Sequence, residues 1–296
     1  MADKKKSTEL EKEAIRNYFI QFLNLEKQFP LLPGTRDEAN VAAFIGLEKE
    51  ELTHAREAFS KVARTAAEEL LKDENIALSL EKLPFKKGDL IMVIGDSLTD
   101  DLQGWFEILR HVLQTALPDY KLKFRNLAVS NDTTHNMLKR FNRDVLAEKP
   151  DWLIIAAGTF DAQRLHVATD RPHTSLADFW ENLNSMENAV KTVTKNPVIW
   201  ITPPPAITEL MEKVPFFDGI VDEEDLSAYR DVISGKAGYI IDPVGERMGR
   251  PGDAWNYLPD GLHPSPAGHV QTVRYFVKAL TSSREPKKGA TLSRDE

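Results

Sequence analysis

The sequence predicts an α/β protein built on a parallel sheet of about five strands, wound with helices on both sides. Three observations carry this expectation. Over residues 87–282, short apolar runs alternate with helix-length amphipathic segments. The runs are apolar throughout, as strands buried on both faces are, and do not alternate as half-exposed strands do. None approaches the ~18 residues that a membrane-spanning helix needs, so they read as strands of a core.

The elements follow in order. Residues 1–86 have a helical period and form an N-terminal helical extension. From Glu9 to Phe29, apolar side chains recur at Leu10, Ala14, Ile15, Tyr18, Phe19, Phe22 and Leu23. Leu32-Pro33-Gly34 breaks the pattern. A second helix is expected from about residue 49 to 72, with Leu52, Ala55, Phe59, Val62, Ala66 and Leu70 on its stripe. The two helices make a hairpin whose stripes need cover. Either they pack on the main domain, or the hairpin serves as a lid or a dimer interface. Strands are expected at 90–94, 122–129, 152–157, 198–202 and 239–241, with helices at about 102–117, 133–147, 177–194, 222–234 and 266–280. The main domain spans 87–282, and the polar tail 283–296 reads as disordered.

Composition removes several function classes. The chain carries 38 Lys and Arg against 46 Asp and Glu, a formal net charge of −8. Binding of nucleic acid through a broad basic surface is not expected, because phosphate neutralisation needs clustered cations. There are no cysteines. That excludes a disulfide scaffold, a thiolate nucleophile and a Cys-ligated metal, and leaves the compartment open. The basic start, Met1-Ala2-Asp3-Lys4-Lys5-Lys6, leads into charged and polar residues and not into the apolar stretch of a signal peptide. The expectation is a soluble, cytoplasmic protein with no membrane span.

Chemistry is sought in the loops at the carboxyl ends of the strands, where open α/β sheets bind ligands. The first such loop is Gly95-Asp96-Ser97-Leu98-Thr99-Asp100-Asp101. Ser97 stands where the strand turns into a helix, and free N–H groups there suit a nucleophile passing through an oxyanion. Ser and Asp also cap helices, so this turn alone is ambiguous. A second signal is Asp260-Gly261-Leu262-His263-Pro264. His263 can act as general base, with Asp260 fixing its tautomer. Among the 7 histidines, His263 is favoured because it has a near Asp and lies in a Pro/Gly loop before a helix. His269 lies on that helix as packing or surface. Asp96 and Asp132 read as structural acids near helix starts. Trp255, in the Pro/Gly-rich loop, is a substrate-contact candidate, while Trp105 and Trp180 read as core.

Gly95-Asp96-Ser97-Leu98 together with Asp260-x-x-His263 resembles the SGNH (GDSL) hydrolase family over about residues 88–282. The segment from Asn126 to Thr134 resembles its second block, Gly158-Thr159-Phe160-Asp161 its third, and Trp200-Ile201-Thr202-Pro203-Pro204-Pro205 the end of its fourth strand. The resemblance implies a three-layer α/β/α sandwich with a flavodoxin-like parallel five-stranded sheet. It also implies ester hydrolysis through an acyl-enzyme, with Ser97 as nucleophile, His263 as base and Asp260 as its partner, and no metal or other cofactor. The oxyanion donors it implies are the N–H groups of Ser97 and of Asn131, which stands where the family has Gly. Phe160 stands where the family has an Asn that donates from its side chain. Phe160 cannot donate and is expected as a wall of the substrate pocket. Losing such a donor costs ~10²–10³ in kcat. The Asn131 carboxamide is the candidate substitute, with Gln163 a weaker one.

The resulting expectation is a serine esterase of small or medium acyl esters, with carbohydrate and natural-product deacetylases among the candidates. Its partners are a small-molecule ester and, through the N-terminal helices, a second copy of the chain. Two alternatives stay open. One is a catalytically weak or inactive SGNH-fold binding protein, motivated by Phe160. The other is an interaction protein acting through the N-terminal hairpin.

Overall fold

The computed structural model describes residues 9–214, 217–244 and 252–282, with side chains from Arg16 onward. The expected disordered tail and the basic start lie outside the described residues. Helices α1 (Glu9–Phe22), α2 (Leu25–Gln28), α3 (Glu38–Phe44), α4 (Lys49–Leu71) and α5 (Glu74–Leu80) precede the first strand. There follow β1 (Leu90–Gly95), α6 (Ser97–Asp100), α7 (Trp105–Ala116), β2 (Lys123–Asn126), α8 (Thr134–Asp144), β3 (Trp152–Ala156), α9 (Thr159–Ala162) and β4 (Arg164–Leu165). The chain continues through α10 (Leu176–Val190), β5 (Ile199–Ile201), α11 (Thr208–Met211), β6 (Gly219–Ile220), α12 (Glu223–Ser234), β7 (Tyr239–Ile241) and α13 (Pro266–Ser282).

The main sheet has 5 strands in the order β2-β1-β3-β5-β7, and every pairing within it is parallel. β4 and β6 form a separate antiparallel pair. The order reverses at β1, whose neighbours are β2 and β3, so the ligand crevice of this sheet type falls at the carboxyl ends of those strands. Side chains alternate between faces. Ile91, Val93, Ile154 and Ile199 join one apolar cluster with residues of α7 and α13. Met92, Ile94, Leu153, Ile155 and Trp200 join a second with residues of α8, α10 and α12. That is the three-layer sandwich.

The N-terminal helices add to it. Helix α7 buries Trp105, Phe106, Ile108, Leu109, Val112 and Leu113, an apolar surface wider than one sheet face can cover. Helix α4 packs on its far side. Ala63, Ala67 and Leu70 of α4, with Ile76 and Leu80 of α5, enter the same cluster as α7. A smaller cluster joins Ile20, Val41, Ala42 and Leu52.

Several expectations are corrected here. The buried stripe of α4 runs through Leu52, Ala63, Ala67 and Leu70 and leaves Val62 at the surface. The adjacent alanines at 63, 66 and 67 make its direction ambiguous from sequence. The apolar run at 122–129 is only half strand. Past β2 it still follows β1, with the Leu127 N–H donating to Val93 O at 2.8 Å and the Val129 N–H to Gly95 O at 3.0 Å. Trp180 is a surface residue, not core, with the Lys236 ammonium 5.9 Å from its ring centroid. Much of the stripes invoked for a homo-oligomer packs within the chain, as Leu52, Ala55, Phe59, Ala66 and Leu70 do, while Phe19 and Val62 are exposed, and the structure gives the oligomer no support. No helix among the described residues is long and apolar enough to cross a membrane.

Candidate active site

The site is assembled at the carboxyl ends of β1, β2 and β3. β1 ends in Gly95, where a Cβ would lie 2.8 Å from the Ala156 carbonyl oxygen of β3. Only glycine lets the two strand ends approach this closely. Asp96 then caps α6, accepting the Leu98 N–H at 3.1 Å, and places Ser97 as the first residue of the helix. Asn126 fastens the next strand to this turn. Its carboxamide donates to Thr99 O at 2.8 Å and accepts the Ala128 N–H at 3.0 Å.

His263 arrives from the other end of the chain on a tight turn. Asp260 Oδ1 accepts the N–H groups of Leu262 and His263, each at 2.9 Å. Gly261 takes φ +70°, and a side chain there would also collide with Ile207 O at 2.5 Å. The turn brings Asp260 Oδ2 within 2.8 Å of His263 Nδ1, and His263 Nε2 within 2.8 Å of Ser97 Oγ. With Nδ1–H donating to the carboxylate, Nε2 is left to accept the Ser97 proton. Burial alone would raise the Asp260 carboxyl, but the hydrogen bonds and charge of His263 outweigh it and hold Asp260 below the usual carboxylate range. The structure therefore brings Ser97, His263 and Asp260 into one relay.

The remaining candidates are placed as follows. Asn131 has φ +66°, the left-handed conformation that glycine normally supplies. Neither the Ser97 nor the Asn131 N–H has an acceptor among the described residues. The Asn131 side chain is exposed and lines an open groove of about 520 Å³ with Thr133, His135, Asn136, His173, Thr174, Asp178 and Asn182. Phe160 is buried in the cluster that holds Leu98 and Leu262, the neighbours of Ser97 and His263. Its carbonyl accepts from His173 Nδ1 at 3.3 Å. Trp255 stands on the expected loop with its residue 79% exposed. It is not among the rings that touch His263.

Acids crowd beneath this surface. Asp96 is pushed up to about 8 by burial, with the charges of Asp161 and Asp132 adding to it. Asp132 is pushed up to about 6, mainly by burial and against the pull of Arg140, whose Nε donates to it at 2.8 Å. Asp161 is raised by burial, although Thr134 gives it both its N–H at 3.0 Å and its hydroxyl at 2.6 Å. His269, expected as packing or surface, is fully buried with Nε2 3.1 Å from Asp101 Oδ2.

The contribution of the N-terminal helices was not visible in the sequence. The Phe22 ring lies 4.2 Å from the His263 ring, centroid to centroid, with Tyr18 at 5.6 Å and Phe217 at 6.2 Å. Gln21 Nε2 donates to Asp101 Oδ2 at 2.9 Å, and Asn24 Nδ2 to Asp100 Oδ1 at 2.8 Å. Lys27 Nζ pairs with the same Asp100 oxygen, and the Ser130 hydroxyl donates to Phe22 O. Periodicity signalled a buried stripe through Tyr18 and Phe22, but nothing local said that the stripe meets His263.

A model of the GDSL-like lipase/acylhydrolase family matches residues 93–271, more than half of the chain. The chain belongs to the GDSL-like lipase/acylhydrolase family. An acetylxylan esterase of Geobacillus stearothermophilus is 26% identical over 219 residues, covering 65% of this chain and 94% of that protein. A solved catalytic mutant of an acetylxylan esterase from the same organism superposes with TM-score 0.54 at 22% identity, over 69% of this chain and 99% of that one. The lipase/acylhydrolase of Enterococcus faecalis gives TM-score 0.51 at 26% identity, over 68% and 100%. This GDSL-family protein is thus a carboxylic ester hydrolase on the α/β frame of its family. Its residues before 93, including all that cover His263 from α1, lie outside the family match.

Proposed function

We propose that the chain is a serine esterase that removes small acyl groups, acetyl first among them, from a polyhydroxylated alcohol such as a sugar. The observation that carries this is the relay of Ser97, His263 and Asp260, joined by two contacts of 2.8 Å. Ser97 Oγ attacks the acyl carbon while its proton passes to His263 Nε2. Asp260 keeps the ring in the required tautomer and faces the imidazolium that forms. The tetrahedral oxyanion is met by the N–H groups of Ser97 and Asn131. Collapse expels the alcohol, which takes the proton from His263, and water then hydrolyses the acyl-enzyme by the same steps in reverse order.

The sugar reading draws on the groove beside Asn131, whose amides and imidazoles suit hydroxyl groups. It also draws on the acetylxylan esterase relative. The test is turnover of p-nitrophenyl acetate and of acetylated xylo-oligosaccharides. Ser97→Ala should lower both by ~10³-fold or more. His173→Ala should raise KM for the acetylated sugar and leave the nitrophenyl ester nearly unchanged. Turnover equal to that of Ser97→Ala would leave the binding-protein reading, which rests on the missing donor at Phe160.

A further inference from the structure

In this structure Ser97 is 1% exposed and His263 0%. So little of Ser97 is exposed that an ester reaching its hydroxyl calls for a group over the relay to move before attack. The covering groups include Tyr18 and Phe22 of α1 and Phe217 from the segment before β6. Phe22 occupies the position that matters most. Its ring lies on the His263 ring, tilted by 36°, and its carbonyl is held by Ser130, the residue before Asn131. It therefore bridges from the base to the turn that offers the second oxyanion donor, across the place where a bound ester has to sit.

The way α1 and α2 are fastened differs from a core contact. Gln21, Asn24 and Lys27 all bind Asp100 or Asp101, three and four residues after Ser97, and the Leu102 N–H donates to Gln21 O at 3.4 Å. These are polar contacts that water can replace when the segment lifts. The apolar cover that the segment keeps is a satellite cluster apart from the two clusters of the sheet.

We infer that the segment from Tyr18 to Lys27 is a gate over Ser97, and that Phe22 is its specificity-determining residue, setting the size of ester that reaches the hydroxyl. The value of such a gate to the protein rests on the esterase reading above, but its existence does not. The chain has no cysteine, so Ser97→Cys installs its sole thiol at the guarded position. The rate at which that thiol reacts with the bulky disulfide 5,5′-dithiobis(2-nitrobenzoate) reports access without reference to catalysis.

With the segment intact, the Ser97→Cys thiol should react at least 100-fold more slowly than in the unfolded protein. Adding Phe22→Ala should accelerate it at least 10-fold. Adding Lys27→Ala with Asn24→Ala, which leaves the apolar cluster whole, should accelerate it as well and keeps the test sound if Phe22→Ala unfolds the chain. Phe44→Ala, on the exposed side of α3, is the control and should change nothing. In the parent with Ser97, Phe22→Ala should raise kcat/KM for p-nitrophenyl hexanoate relative to acetate at least 10-fold. A Ser97→Cys thiol that reacts at the unfolded rate beneath an intact segment overturns the gate. So does a rate that neither Phe22→Ala nor the anchor pair changes, while unaltered chain-length preference removes the role of Phe22. Loss of the esterase reading shows separately, as turnover that survives Ser97→Ala.

Discussion

Helix α4 and the α1–α2 segment come from one stretch of sequence, yet they meet the main domain in opposite ways. α4 lands on the outer side of α7 and sinks Ala63, Ala67 and Leu70 into the largest apolar cluster. α1–α2 lands on the rim of the sheet, where beside the Tyr18 and Phe22 rings on His263 it meets the buried acids Asp100 and Asp101 with two amides and an ammonium. Apolar area holds without regard to direction and is costly to expose. Hydrogen bonds to carboxylates fix one position, and water offers nearly equal partners once they part. The first kind of contact suits a permanent layer, and the second suits a part that moves.

The largest test concerns the rim. Ser97→Ala should abolish turnover by ~10³-fold or more with little change in melting temperature. Loss of stability without loss of rate would make the rim another packing surface and end the contrast. Next is the opposite face. Leu70→Ala should cost about 2–5 kcal/mol of stability, read by denaturant unfolding, with kcat/KM of the folded fraction unchanged. A large fall in kcat/KM at full folding would mean that α4 also serves the site.

A smaller effect is expected from Phe160→Asn, which restores the side-chain donor the family uses. It should raise kcat by ~10-fold to 10²-fold, below the full value of a donor because Asn has to be accommodated in an apolar cluster. An unchanged or lower kcat would show that the N–H groups of Ser97 and Asn131, or the Asn131 carboxamide, already suffice.

The smallest effect is a pH dependence of stability. Asp96 is raised from 3.8 to about 8, so the folded protein keeps a proton that the unfolded chain gives up between these values. The stabilisation is fully present below the unfolded pKa and is lost as pH rises through the folded one. Asp132 and Asp161 shift in the same direction. The melting temperature should fall between pH 5 and pH 8, and Asp96→Asn should reduce that fall by roughly 3–6 °C, equivalent to about 1–2 kcal/mol. Equal slopes in the two proteins would show that the rim acids are not the source.

Much of this architecture can be read from residues 87–282 because its signals are local. A strand covered on both faces is an apolar run, and Asp260 reaches His263 across three positions of one turn. Asn131 was readable too, since only a few residue types tolerate the φ its position requires. The packing of α1 against His263 is not readable. It depends on pairs such as Gln21 with Asp101 and Asn24 with Asp100, which are 80 and 76 residues apart. Each member is an ordinary surface polar residue until the fold joins them. The direction of α4 failed for a different reason, since alanine fits either side of a stripe. Trp255 stands out in the sequence by its loop, whereas the rings on His263 come from a helix and a loop that carry no motif.

The rings that face His263 from α1 belong to a part of the chain that the family pattern does not include. A combinatorial library confined to Tyr18, Gln21, Phe22, Asn24 and Lys27 can therefore be screened for altered substrate scope while Ser97, Asp260 and His263 stay as they are. For an engineer, the rings that face His263 from α1 and the chain of Ser97, His263 and Asp260 lie in separate stretches of one gene and can be varied one at a time.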